Sequence, residues 1–183
     1  MNHKLRKKIS KFLSYLLRHN PEEIGLELNQ GGWAKVSELI SRIKEYKNFD
    51  LDFETLCDVV ENNNKKRFTF NDDKTMLKAN QGHSISVDLE LEPVIPPDIL
   101  YHGTAEKFIN SIKKAGLTKK NRHHVHLSPD EKTAFSVGSR HGKPVILKIK
   151  AKEMYVLDYD FFCSKNGVWL TDHIPTQFII FPG

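Results

Sequence analysis

A chain of 183 residues with 39% hydrophobic content has room for one domain or for two small lobes, each around a modest core. Its longest apolar runs, such as Val145 to Leu147 and Phe178 to Phe181, cannot cross a bilayer, and no signal-type run follows the lysine-rich start, so a soluble, cytoplasmic protein with no membrane partner is expected. The net charge of +5 and pI near 9.1 favour a polyanionic partner, while Cys57 and Cys163, far apart and without metal-ligand spacing, exclude a disulfide framework and suit a reducing compartment.

Leu5, Ile9, Phe12, Leu13, Leu16 and Leu17 recur at helical spacing, which predicts an amphipathic helix from about residue 4 to residue 18, ended by Asn20-Pro21, with Arg18-His19 at its C-terminal tip. Lys4, Arg6, Lys7, Lys8, Lys11 and Arg18 fall in this stretch with no acid among them; they read either as a solvated helix face or as a phosphate-contacting surface. After a Gln30-Gly31-Gly32 turn, Trp33 to Val36 is expected as a short strand and Ser37 as the N-cap of a helix through Leu39, Ile40 and Ile43. Asp52 signals a third helix, with Phe53, Leu56, Val59 and Val60 on its apolar face and Asn62-Asn63-Asn64 at its end. Arg67 to Phe70, the turn Asn71-Asp72-Asp73 and Thr75 to Ala79 have the pattern of a β-hairpin. Helices followed by a hairpin predict a winged-helix lobe over residues 1–91, an arrangement that serves nucleic-acid binding and protein interaction alike.

Residues 92–98 carry Pro93, Pro96 and Pro97, which can neither donate to a ladder nor continue a helix, and are read as a linker. In the second lobe, residues 99–183, Leu100 to His102 is expected as a strand, Ala105 to Ala115 as a helix stopped by Gly116, and His124 to Leu127 as a strand leading to a helix that begins near Ser128-Pro129. Val145 to Ile149, Tyr155 to Leu157, Val168 to Leu170 and Gln177 to Phe181 are short and rich in β-branched or aromatic residues and are predicted as strands, with Asn166-Gly167 as a turn. The expected fold class is α+β.

Neither GxGxxG nor GxxxxGKS/T occurs, so a dinucleotide would have to bind in another way. His124 and His126 would share one face of a strand, but no acidic or cysteine ligand stands at a persuasive spacing, and no metal is expected. More informative are five strings taken in order: Ser14 to His19, Lys66-Arg67-Phe68, Gln81-Gly82-His83-Ser84, Tyr101-His102-Gly103-Thr104, and Arg122 to Ser128. Together they resemble the RNA 2′-phosphotransferase family, a branch of the ADP-ribosyltransferases, over nearly the whole chain. The resemblance implies an N-terminal winged-helix RNA lobe and a C-terminal lobe of ADP-ribosyltransferase type that takes NAD as a consumed co-substrate, with the reaction in the cleft between them. A 2′-phosphorylated RNA is the implied partner and a monomer the expected state.

On that resemblance Arg18, His19, Arg67 and Arg122 carry over as the catalytic set. The implied reaction has two steps. The RNA 2′-phosphate first displaces nicotinamide from the ribose C1″; the ribose O2″ then attacks phosphorus, releasing 2′-hydroxyl RNA and ADP-ribose 1″,2″-cyclic phosphate. Guanidinium groups suit the first need, because they hold phosphate oxygens bidentately beside a second anion. A histidine titrating near neutrality suits a sugar hydroxyl in the second, so His19 is assigned to O2″, although a plain helix C-cap is the other reading of that residue. For NAD the resemblance points to Tyr101, His102, Gly103 and Thr104, with His102 bonded to a ribose and Gly103 allowing close approach, and further to Ser128 and Arg140. The Pro144 to Lys148 segment offers no glutamate of the kind that protein-modifying ADP-ribosyltransferases use, and an anionic phosphate nucleophile needs no base. Two other functions stay open: an ADP-ribosyltransferase that caps nucleic-acid phosphates and stops after the first step, and a non-enzymatic winged-helix binding protein, against which the acidic Phe53 to Glu61 helix argues.

Overall fold

Leu13, Leu16 and Leu17 are fully buried on one side of the first helix, α1 (His3–Arg18), and they fix the position of everything near its C-terminal tip. Burial of each is worth about 2 kcal/mol of transfer free energy, so packing rather than propensity holds the helix. The computed structural model describes residues 3–47, 51–89 and 91–182, and it divides into two units, Met1–Glu90 and Leu91–Gly183.

In the first unit, strand β1 (Trp33–Lys35) runs directly into α2 (Val36–Lys47), and α3 (Phe53–Glu61) follows. The backbone N–H of Val36 donates to the Thr75 carbonyl at 2.8 Å, and α2 starts at Val36, two residues earlier than expected, which leaves Ser37 inside its first turn instead of at the N-cap. Asp52 does cap α3: its side chain accepts from the Thr55 N–H at 2.7 Å. Strands β2 (Phe68–Phe70) and β3 (Met76–Ala79) form the predicted hairpin, and β1 adds to it on the other side of β3, all antiparallel, with Thr69 opposite Lys78 opposite Trp33. Leu39 and Ile43 from α2, Leu56 and Val59 from α3, and Phe68, Leu77 and Ala79 from the hairpin close the core over α1.

The second unit is built on β4 (Leu100–Ala105), which pairs antiparallel along its full length with a later strand, Pro144–Ile149. Between these two lie α4 (Ile109–Ala115), β5 (Leu117–Thr118), β6 (Val125–Leu127) and α5 (Glu131–Gly138), so that Pro144–Ile149 is β7. After it come α6 (Ala151–Val156), β8 (Phe162–Cys163), β9 (Trp169–Thr171), β10 (His173–Ile174) and β11 (Ile179–Ile180). Sheet orders are β11-β7-β4, β6-β9-β8 and β10-β5.

Three expectations need correction here. Residues 155 and 156 are the end of α6, not a strand: Ala151 and Met154 turn into the core, a helical spacing that the aromatic and β-branched residues of the segment obscure. Ala105 ends β4 rather than opening a helix; a tight turn, Glu106–Phe108, intervenes before α4. The last strand is shorter than expected, because Thr176–Phe178 forms a 3-10 turn. The class is nonetheless mixed helix and sheet, and no described helix is long and apolar enough to cross a membrane.

Candidate functional site

Arg18 closes α1, and two later segments gather around it. One is the residue just before the hairpin: Arg18 Nη2 donates to the carbonyl of Arg67 at 3.5 Å, and that carbonyl also accepts the Asn80 N–H at 2.9 Å. The Arg67 guanidinium is oriented from behind by Asn63, whose Oδ1 accepts from Arg67 Nη1 at 3.1 Å. Asn63 is buried, and its amide donates to Ser10 Oγ on α1 at 2.9 Å. The Arg67 carbonyl and the Asn63 amide oxygen, both neutral acceptors, thus contribute to orienting the two guanidinium groups.

The other segment follows the hairpin. Ser84 donates its backbone N–H to the Arg18 carbonyl at 2.9 Å, and its hydroxyl shares a 2.9 Å hydrogen bond with His19 Nδ1. Gly82 has φ of +85°, a left-handed conformation that favours glycine, and a β-carbon there would sit 3.6 Å from Arg18 Nη1. Arg18, His19, Arg67, Gly82 and Ser84 are therefore one constellation within the first unit, and His19 keeps Nε2 outside the Ser84 contact on an exposed ring. His83, between Gly82 and Ser84 in the chain, is buried, 1% exposed, and its Nε2 would lie 3.5 Å from a β-carbon at Gly32. Sequence reasoning singles out residues 81–84 without a role for them and does not single out Asn63, which looks only like part of a helix-ending asparagine run; a polar residue predicted to lie against α1 is the available signal.

In the second unit, Tyr101 and Ser128 exchange backbone hydrogen bonds at 2.9 and 2.8 Å, which ties β4 to the end of β6 and brings the first and last of the strings expected in this lobe side by side. His102 Nδ1 lies 3.0 Å from the His126 carbonyl. A carbonyl can only accept, so Nδ1 carries the hydrogen, and the neutral ring presents Nε2 as an acceptor. Burial holds His102 below the usual histidine range; the bond to His126 opposes this and the charge of Arg122 adds to it. Arg122, itself exposed, donates to the His126 ring nitrogen Nδ1 at 3.4 Å. His126 thus links Arg122 to His102, through its ring on one side and its carbonyl on the other, a role that sequence reasoning does not assign.

Gly103 has a different neighbour from the one expected. A β-carbon there would fall 1.7 Å from the Ala134 carbonyl oxygen, and one at Gly138 would fall 2.6 Å from the Thr104 oxygen, so the space left by both glycines is filled by the contact of α5 with β4. Thr104 is buried in the same contact. Asp130 caps α5 by accepting from the Thr133 N–H at 2.7 Å, which sets the helix start at Glu131, past the expected Ser128-Pro129. Arg140 is exposed beyond the far end of that helix. On β7, Lys148 pairs with Glu131 of α5 at 3.1 Å. His124 packs its ring against Phe162, centroids 5.4 Å apart, and among the described residues no group of three His, Cys, Asp or Glu side chains is arranged to hold a metal ion.

Residues 4–173 match the model of the RNA 2′-phosphotransferase, Tpt1/KptA family. A protein of Flavobacterium johnsoniae named "Probable RNA 2′-phosphotransferase" is 54% identical over 99% of this chain and 99% of its own length. Proteins with the same name from Acaryochloris marina and Fusobacterium nucleatum are 53% and 52% identical, each over 95% of this chain and at least 96% of their own.

Proposed function

Because the chain belongs to the RNA 2′-phosphotransferase, Tpt1/KptA family, we propose that it removes a 2′-phosphate from RNA by transferring it to the ADP-ribose part of NAD. The observation that carries this reading is the constellation at the tip of α1, where Arg18 and Arg67 are held by neutral acceptors and His19 by a serine hydroxyl.

When bound, NAD would supply an electrophilic ribose carbon with nicotinamide as leaving group. Arg18, Arg67 and Arg122 hold the oxygens of the 2′-phosphate, offset its repulsion from the pyrophosphate, and later stabilise charge on the equatorial oxygens during transfer. His19, its Nδ1 fixed on Ser84, takes the proton of a ribose hydroxyl at Nε2. His102 suits a ribose for a reason visible in its bonding: with Nδ1 committed to His126, Nε2 accepts from a sugar hydroxyl and never donates while the ring is neutral. Tyr101 and Ser128, joined through their backbones, place that ring, Gly103 and Thr104 seat its strand on α5, and Arg140 is assigned to the pyrophosphate. The lobes are read as a winged helix with RNA and an ADP-ribosyltransferase-type fold with NAD, acting as a cytoplasmic monomer; transfer RNA processing is the family's familiar setting.

Mass spectrometry after incubation with NAD and a 2′-phosphorylated oligoribonucleotide tests the proposal. Loss of the phosphate from the RNA, with nicotinamide and ADP-ribose 1″,2″-cyclic phosphate appearing, is the expected result. Accumulation of an ADP-ribosylated RNA would favour the capping reaction, and RNA unchanged in mass would leave only binding.

A further inference from the structure

Of the basic run at the start of the chain, the chemistry above uses Arg18 alone. Arg6 turns to one side of α1 and is spent on Asp58, at 2.9 and 3.0 Å. Lys4, Lys7, Lys8 and Lys11 border one shallow surface depression instead, with Leu5. At 3.6 residues per turn these lysines, Tyr15 and Arg18 fall within one stripe about 100° wide, opposite the buried leucines. Lys7, Lys8 and Lys11 are exposed and make no ion pair among the described residues.

Tyr15 interrupts the row in a specific way. It is 40% exposed, and its hydroxyl is fixed at both ends, donating to Glu23 at 2.5 Å and accepting from the Asn20 amide at 2.9 Å. Glu23, whose other oxygen accepts from Tyr46 at 2.6 Å, is thereby engaged by two phenols. The result is a held aromatic ring between a lysine row and Arg18, which lies about 10 Å along the helix from Lys11. Cations alternating with a fixed ring match a single strand, whose phosphates take the charges and whose unstacked bases take the ring; a duplex keeps its bases stacked and offers the ring nothing.

We propose that this face of α1 is the track for the single-stranded RNA flanking the 2′-phosphate, with Lys7, Lys8 and Lys11 on backbone phosphates and a base stacked on Tyr15. It rests on RNA being the substrate proposed above. The track delivers the strand to Arg18, so affinity grows with RNA length on that side and falls with salt.

Fluorescence anisotropy with long and short 2′-phosphorylated oligoribonucleotides tests it, on the wild type and on the variant Lys7→Gln/Lys8→Gln/Lys11→Gln. For single strands each phosphate contact adds about 0.7 to the slope of log affinity against log salt, so the variant should lose about 2 from that slope on the long RNA and lose the preference for it. Tyr15→Leu should weaken binding roughly tenfold at unchanged slope, and Tyr15→Phe, which keeps the ring but not the hydroxyl that holds it, should recover part of that loss. A triple variant with the wild-type slope, or a Tyr15→Phe protein no better than Tyr15→Leu, would overturn the track. NAD-dependent dephosphorylation by the wild type is followed in parallel: its absence refutes the proposed activity, whatever the slopes do.

Discussion

The α-carbon of Gly103 faces the carbonyl oxygen of Ala134 so closely that a β-carbon would lie 1.7 Å from that oxygen and 2.9 Å from the Gly138 nitrogen. Both obstacles are backbone atoms of α5, set against the middle of β4, and neither can rotate away. Gly103→Ala is therefore expected to lower stability by at least about 3 kcal/mol, read as the urea-unfolding midpoint in the absence of any ligand. A midpoint like that of the wild type would mean that α5 is free to lift off the strand.

His102 makes stability depend on pH. Its folded pKa is lowered, chiefly by burial, so folding disfavours its protonation. The contribution is full above the unfolded value of about 6.5 and is lost as pH falls through the lower folded value. His124, lowered by burial and by His123, acts in the same direction. Melting temperature should drop from pH 8 to pH 5, and His102→Gln should drop less; parallel profiles for the two proteins would show that His102 titrates alike folded and unfolded.

Arg122 is exposed, and its contact with His126 at 3.4 Å is weak. Arg122→Ala should leave unfolding within about 0.5 kcal/mol of the wild type, as surface substitutions do, while reducing turnover of a 2′-phosphorylated oligonucleotide by a factor of about 100 or more. Unchanged turnover would remove Arg122 from the proposed mechanism.

Asn63 acts at one remove, as a positioning residue between Ser10 and Arg67. Asn63→Ala takes one hydrogen-bond partner from a buried hydroxyl and one from a guanidinium, and should cost about 1–3 kcal/mol of stability. Assayed well below its melting temperature, the variant should also show a lower kcat with KM for NAD unchanged. Normal kcat in a destabilised variant would confine Asn63 to packing.

Ser84 and His19 can be separated by pH. Ser84→Ala removes the hydroxyl that holds His19 Nδ1 at 2.9 Å but spares the backbone bond to Arg18. If the proposed proton transfer uses His19, kcat should fall about tenfold or more and the pH–rate profile should shift. A wild-type profile with wild-type kcat would show that the hydroxyl orients nothing that matters.

Long periodic segments and side-chain caps are legible in the amino-acid sequence alone. The leucine spacing sets α1 and its Arg18-His19 tip, Asp52 sets the start of α3, and the turn residues between Phe70 and Thr75 set the hairpin. Short segments are not legible in this way. Tyr155 to Leu157 has strand-like side chains, yet the helix that contains Tyr155 is decided by Ala151 and Met154 meeting the core. Strands β5, β8 and β10, of two residues each, exist only through their partners.

The candidate site divides along the same line. Resemblance to the family, carried by short strings in a fixed order, is what marks Arg18, His19, Arg67, Tyr101, His102 and Arg122 as the expected site, and residue chemistry alone does not single them out. Which hydrogen bonds aim them is decided by the folded chain: Asn63 behind Arg67, Ser84 beside His19, and the His126 carbonyl under His102, each supplied by a segment that α1 or β4 meets only after packing. Gly103 shows the physical reason most directly. Its lack of a side chain is plain in the sequence, but what occupies the space, a ligand or the backbone of α5, depends on an atom thirty-one residues away along the chain that only the tertiary structure brings into contact.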